Sequence, residues 1–152
     1  MLKLTYWLGS IITLLILTPI VLSLVSRFQE PQLGSGHDRL APCPSRPNCV
    51  CSEYPASSSF SLPITFVGAP DEAWQRAKGS IIAMGGEIIQ DDEHSLHAIF
   101  TSRFLRFIDD LELRQDMAEG VIHLRSAARA GYSDMGVNRK RTEALRSLYT
   151  KP

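Results

Sequence analysis

Residues 87–127 read EIIQDDEHSLHAIFTSRFLRFIDDLELRQDMAEGVIHLRSA, and this stretch decides the fold. Glu87–Gln90 and Leu96–Thr101 are short strand-type runs flanking Asp-Asp-Glu-His, a hairpin signal. Two further strands are predicted over Arg106–Arg114 and Val121–Ala127. Phe107, Leu111 and Leu113 share one side of the first, and Ile122 and Leu124 share one side of the second. Matching those apolar faces puts 113 opposite 122, 111 opposite 124, 109 opposite 126 and 110 opposite 125. Asp109 then lies on the apolar side facing Ser126, and Asp110 faces Arg125 on the other.

Working outward, Leu62–Val67 reads as a strand whose Pro63 assigns it to an edge. Asp71 is expected to cap a helix running to about Met84, with Glu72 in its favourable first turn. Trp74, Ala77, Ile81 and Met84 fall at helical spacing, and Gly85-Gly86 ends the run. A last helix, from Asn138 or Arg139 to Thr150, should turn Ala144, Leu145, Leu148 and Tyr149 inward. The order is β-α-β-β-β-β-α. It is an α+β fold, an antiparallel sheet of about five strands with two helices on one face.

Ahead of this body lie an N-terminal transmembrane helix and a Pro-rich segment. Leu4 to Val25 is uncharged and mostly apolar, about 33 Å of helix against a ~30 Å hydrocarbon layer. An uncleaved single-pass anchor competes here with a cleaved signal peptide, for which Val21-Leu22-Ser23 offers a small-residue site. Basic residues are more numerous behind the run than before it, which favours an inward body. A two-residue head, however, behaves as a signal-anchor, and the downstream cysteines fit export. The expectation is an inner-membrane protein with its globular part on the extracytoplasmic, periplasmic side.

Residues 28–63 hold six of the nine prolines and read as a tether, then an ordered lid, with regular structure not expected there. The domain plan is 1–27 anchor, 28–61 tether and cysteine segment, 62–152 globular domain. Sixteen basic and sixteen acidic residues balance, and the part beyond residue 27 is slightly acidic. Bulk charge therefore points away from a nucleic-acid partner. No P-loop, G-x-S-x-G or H-E-x-x-H motif occurs, no catalytic residue or cofactor is assigned, and no metal set is favoured. His94, His97 and His123 read as solvated.

All three cysteines lie in CPSRPNCVC, residues 43–51. A Cys43–Cys49 disulfide is favoured because the intervening Pro-Ser-Arg-Pro-Asn already turns, whereas Cys49–Cys51 would close a strained ring. The alternatives are a metal site joining His37 to the thiolates, a redox pair, or no bridge, and a free Cys51 could pair between chains.

Two polar groupings could carry chemistry. Asp109, amid Phe107 and Leu111, must be paired, hydrogen-bonded or neutralised; a raised pKa would suit it to acid/base work. The stretch RSAARAGYSDMGVNRKR, residues 125–141, brings Arg125, Arg129, Arg139 and Arg141 from a strand end to a helix start, with Asp134 or Asn138 as cap. The candidate ligand-binding or scaffold set is Asp109, Asp110, Arg125, Arg129, Asp134, Asn138 and Arg139. It would take a small anionic ligand or lipid headgroup, or serve an envelope protein partner. The bland alternative is internal ion pairing. The rival function is a hydrolase or transferase with Asp109 as acid/base.

CPSRPNCVCS at 43–52, RFIDDLELR at 106–114 and RSAARAGYSDMGVNRKR at 125–141 together resemble the family of domain of unknown function 1499. The resemblance covers about residues 40–150 and implies a small domain behind a signal or anchor. It also implies that Cys43 and Cys49 are the family pair, since serine is usual where Cys51 stands. It brings no activity with it.

Overall fold

The computed structural model describes residues 2–34 and 38–151. Helix α1 runs Leu2–Phe28, followed by β1 (Cys49–Cys51), β2 (Ile64–Thr65), α2 (Pro70–Ala83), β3 (Glu87–Asp91), β4 (Ser95–Thr101), β5 (Ile108–Asp116), β6 (Val121–Ala128) and α3 (Val137–Tyr149). The sheet is antiparallel throughout, ordered β1-β6-β5-β4-β3, with β2 also pairing β6 along the edge that β1 uses. The fold is therefore α+β, with a sixth strand contributed by the cysteine segment. That strand corrects the expectation that residues 28–63 lack regular structure.

Helix α1 is long and apolar enough to cross a membrane. From Tyr6 to Val21 its residues are exposed, apart from a half-buried Pro19. Only its last turns touch the body, where Ser23 and Ser26 are buried.

Helix α2 buries Trp74, Ala77 and Ile81 against the sheet as the spacing required. Ala69 is its N-cap and Pro70 its first residue, so Asp71 is not the cap; it and Glu72 act in the first turn. Gly86 follows because a Cβ there would stand 2.6 Å from Phe100 and 2.7 Å from Ile81. On α3, Leu145 and Tyr149 are fully buried, but Ala144 faces outward, contrary to expectation. The Tyr149 hydroxyl accepts the Val67 N–H at 2.9 Å, tying α3 to the chain beyond β2.

The β5–β6 register is two residues away from the one the apolar pattern suggested. Leu113 lies opposite Leu124, Leu111 opposite Ser126, Asp110 opposite Ala127 and Asp109 opposite Ala128. An even slip keeps every side chain on its face, so hydrophobic matching could not separate the two. The turn decides. Asp116 accepts the N–H groups of Ala118 and Glu119, both at 3.0 Å, and its carbonyl takes the Gly120 N–H at 3.0 Å. Gly120 sits at φ 67°, where glycine is least strained. This knot starts pairing at Asp116–Val121. Strand β5 in turn begins at Ile108 rather than Arg106, because residues 102–107 close a turn in which Ser102 holds the Phe107 N–H at 2.9 Å.

The face of the sheet away from the helices is also covered. The Gly34 N–H donates to Glu112 at 2.8 Å, and the Leu40 N–H to Glu53 at 3.0 Å. Residues 29–34 and 38–48 thus cross that face as a strap. A Cβ on Gly34 would lie 2.6 Å from the Arg39 carbonyl oxygen, so the strap's own backbone passes close to itself there.

Replacing Asp116 by Ala removes the acceptor for two turn N–H groups. The expected loss is about 1–2 kcal/mol in chemical denaturation, with Asp116→Asn losing less. Unchanged stability in Asp116→Ala would mean that another feature sets the register.

Candidate functional site

Strand alternation sends Asp109 and Asp110 to opposite faces, and two separate polar clusters result. On the helix side Asp109 accepts Arg141 Nη2 at 2.7 Å. The Arg141 guanidinium lies 4.6 Å from the centroid of Phe100 and also donates to Ser126 Oγ at 3.1 Å and to Asn138 Oδ1. Fully buried Asn138 accepts the Ser126 hydroxyl at 2.5 Å and donates through Nδ2 to the Asn48 carbonyl at 3.2 Å. Asp134 takes the Asn138 and Gly136 N–H groups at 2.7 and 2.9 Å, so it, rather than Asn138, serves the start of α3. Burial raises the Asp109 carboxyl above its ordinary value, against the pull of Arg141.

On the strap side Asp110 is clasped bidentately by Arg129, at 2.9 and 2.8 Å, and bonded to His97 Nε2 at 2.8 Å. Burial alone would raise its carboxyl, but the hydrogen bonds from His97 and Arg129 hold it below the usual range. Glu112 lies opposite Arg125 in the register and pairs with it at 2.7 Å. Arg114 reaches Glu53 at 2.7 Å and Asp116 at 3.2 Å. Between strap and sheet, beside Asp110, Arg125 and Arg129, is a cavity of about 20 Å³. That is room for about one water, which suits the buried, unpartnered Arg125 Nε.

The seven candidate residues therefore do not meet at one point. Asp110, Arg125 and Arg129 share the strap side, Asp109 and Asn138 the helix side, and Asp134 a turn. Arg139 is exposed and bonds the Phe60 carbonyl at 3.0 Å. It lines an open groove of about 630 Å³ bounded by the Cys43–Cys49 loop, Ser57–Ser59 and residues 133–136.

The expected pairing of Asp110 with Arg125 and of Asp109 with Ser126 gives way to Arg129 and Arg141, because of the slipped register. Sequence reasoning also missed His97 and His123, both buried rather than solvated; His123 Nδ1 lies 3.1 Å from Ser52 Oγ. Their positions on strands that alternate polar and apolar looked like an exposed face. Only the strap makes it an interior.

Cys43 and Cys49 form a disulfide. Cys51 is 2% exposed, and burial foremost raises its thiol pKa. It is a neutral, enclosed thiol, unsuited to pairing between chains or to nucleophilic attack. His37, invoked for a metal site, lies outside the described residues. Asp116, Glu119 and His123 bring ligand atoms within 4.8 Å of one another. Asp116, however, is already committed to Arg114 and two backbone donors, and His123 to Ser52.

The two aspartates should respond oppositely to acid. Asp110, lowered on folding, contributes stability that is complete above about pH 4 and drains away as pH falls through its folded value. Asp109, raised on folding, contributes stability below about pH 4 that is lost as pH rises through its folded value. In urea unfolding of the solubilised chain, Asp110→Asn should flatten the acid-range rise of stability with pH, and Asp109→Asn should steepen it. At neutral pH Asp110→Asn should cost on the order of 3 kcal/mol, since the Arg129 charge loses its counter-ion. Identical pH slopes in both variants would refute these assignments.

Among curated proteins none matches the chain. The family model described as "Protein of unknown function (DUF1499)" matches residues 39–148, from the strap through the cysteine segment, the sheet and nearly all of α3. With most of its length matched, the chain belongs to the DUF1499 family.

Proposed function

We propose that the chain is a single-pass inner-membrane protein whose extracytoplasmic domain serves as a scaffold or binding module. In this reading residues 1–27 are the anchor, 28–61 the strap and the cysteine segment that lends β1 to the sheet, and 62–152 the rest of the α+β body. The observation that carries it is the seat of the helix end. Ser23 donates its hydroxyl to the Leu105 carbonyl, and Ser26 Oγ accepts the Ile108 N–H at 3.3 Å while donating to the Ser23 carbonyl at 2.7 Å. A cut after Val21-Leu22-Ser23 would remove part of this seat, so a retained helix fits better than a discarded signal. The Cys43–Cys49 disulfide supports an oxidising compartment.

A scaffold suits the polar clusters better than catalysis does. Their charges are matched with one another; the cavity beside Asp110 has room for about one water, and the pocket of about 220 Å³ that borders His97 and Glu112 has both side chains already paired. The raised Asp109 carboxyl favours the rival reading, a hydrolase or transferase, but its partner Arg141 occupies it. The groove beside the disulfide, with Arg46 and Arg139 on its walls, is the surface suited to a small anionic ligand or an envelope protein.

Membranes from cells expressing the full chain test this. After alkaline carbonate washing the protein should stay in the pellet, with a mass that includes residues 1–27, an oxidised Cys43–Cys49 pair and a reduced Cys51. A soluble product beginning after Ser23 would overturn the anchor.

A further inference from the structure

Residues 102–107, Ser-Arg-Phe-Leu-Arg-Phe, link β4 to β5 and carry two bases and no acid. Phe104 is 89% exposed, and Leu105 is exposed beside it. Among the described residues nothing buries Phe104, yet the connection is firmly placed: its Leu105 carbonyl receives the Ser23 hydroxyl of α1. Ser23 stands about 28 Å along the helix from Leu4, at ~1.5 Å per residue, close to the ~30 Å thickness of a hydrocarbon layer. With residues 4–25 read as the span, the contact sets the height of the connection at the membrane surface. The neighbouring helix end adds exposed Arg27 and Phe28. Arg106 holds φ 59°, a left-handed backbone where glycine would be less strained, so the chain keeps a guanidinium there at a conformational cost.

Charge is polarised along the sheet in the same sense. At the opposite end, connections 92–94 and 117–120 and the first turn of α2 carry Asp71, Glu72, Asp92, Glu93 and Glu119, and those segments hold no lysine or arginine. An anionic lipid surface would attract one end and repel the other.

We infer that the β4–β5 connection is a second membrane contact, with Phe104 and Leu105 entering the interface beside the helix exit and Arg27, Arg103 and Arg106 meeting anionic lipid phosphates. Aromatic and long basic side chains are suited to that boundary. The domain is then held at the bilayer by two adjacent points, with its acidic end outward. This inference rests on reading residues 4–25 as a retained anchor.

Site-directed spin labelling of the full chain in vesicles of phosphatidylethanolamine and phosphatidylglycerol tests it. The native cysteines are bridged or buried, so a single introduced cysteine takes the label. Phe104→Cys is compared with Leu14→Cys in the helix and with Met117→Cys at the far end of the sheet. The expected ratio of oxygen to nickel-complex accessibility is highest at 14, several-fold lower at 117, and intermediate at 104. Adding Arg103→Glu and Arg106→Glu should move 104 towards 117. A label at 104 as open to nickel as that at 117, with 14 still shielded, overturns the inference and leaves the anchor standing. A label at 14 open to nickel overturns the anchor reading, and the inference with it.

Discussion

Two carboxylates on one strand govern this architecture. Asp110 and Glu112 point from β5 to the face opposite the helices and are buried there, 4% and 5% exposed. A carboxylate removed from water costs several kcal/mol unless its charge and lone pairs are met. Arg129 and His97 meet one, while Arg125 and the Gly34 N–H meet the other. The arginines come from β6 and the residue just beyond it, so a further slip would part them from their partners. Removing one member of such a pair costs about 3–5 kcal/mol, whereas the intact pair contributes little net stability. Its effect is to select one arrangement of strands and strap.

Burying charge on one face and apolar side chains on the other makes a two-sided sheet from a single small domain. The helix face holds Leu111, Leu113, Ile122 and Leu124 against α2 and α3. The strap face holds ion pairs under residues 29–34 and 38–48. Because the strap follows α1 directly, and Gln29 offers its carbonyl to Arg129 at 3.5 Å, the route out of the helix is built into the domain. A helix joined by a loose linker would leave the body free to tumble. Here Ser23 and Ser26 tie the helix end to the body.

Much of this was legible in residue order. Apolar spacing in Trp74, Ala77 and Ile81 located α2, the Asp-Asp-Glu-His turn located the β3–β4 hairpin, and Pro-Ser-Arg-Pro-Asn suggested the cysteine bridge. Three things were not. The β5–β6 register was degenerate under a two-residue slip, since Leu113 matches Leu124 as well as Ile122, and only the Asp116 turn breaks the tie. The burial of His97, His123, Glu112 and Arg125 depends on a strap from far upstream, and local alternation looks the same whether a polar face meets water or a buried partner. Arg141 stood in the basic run, but its aim at Asp109 follows from where α3 docks. Polar pairing is long-range, and a single sequence carries little trace of it.

The cover on the charged face, residues 29–34 and 38–48, is fixed to the sheet rather than a loose tether, and the burial of that face depends on this. Amide hydrogen exchange of the full chain in detergent, resolved at Gly34 and Leu40, reads this directly. Their N–H groups are bound to Glu112 and Glu53, so both should exchange orders of magnitude more slowly than an unstructured peptide, at rates approaching those of the central strands. Exchange at the unstructured rate while β5 and β6 stay protected would contradict the account.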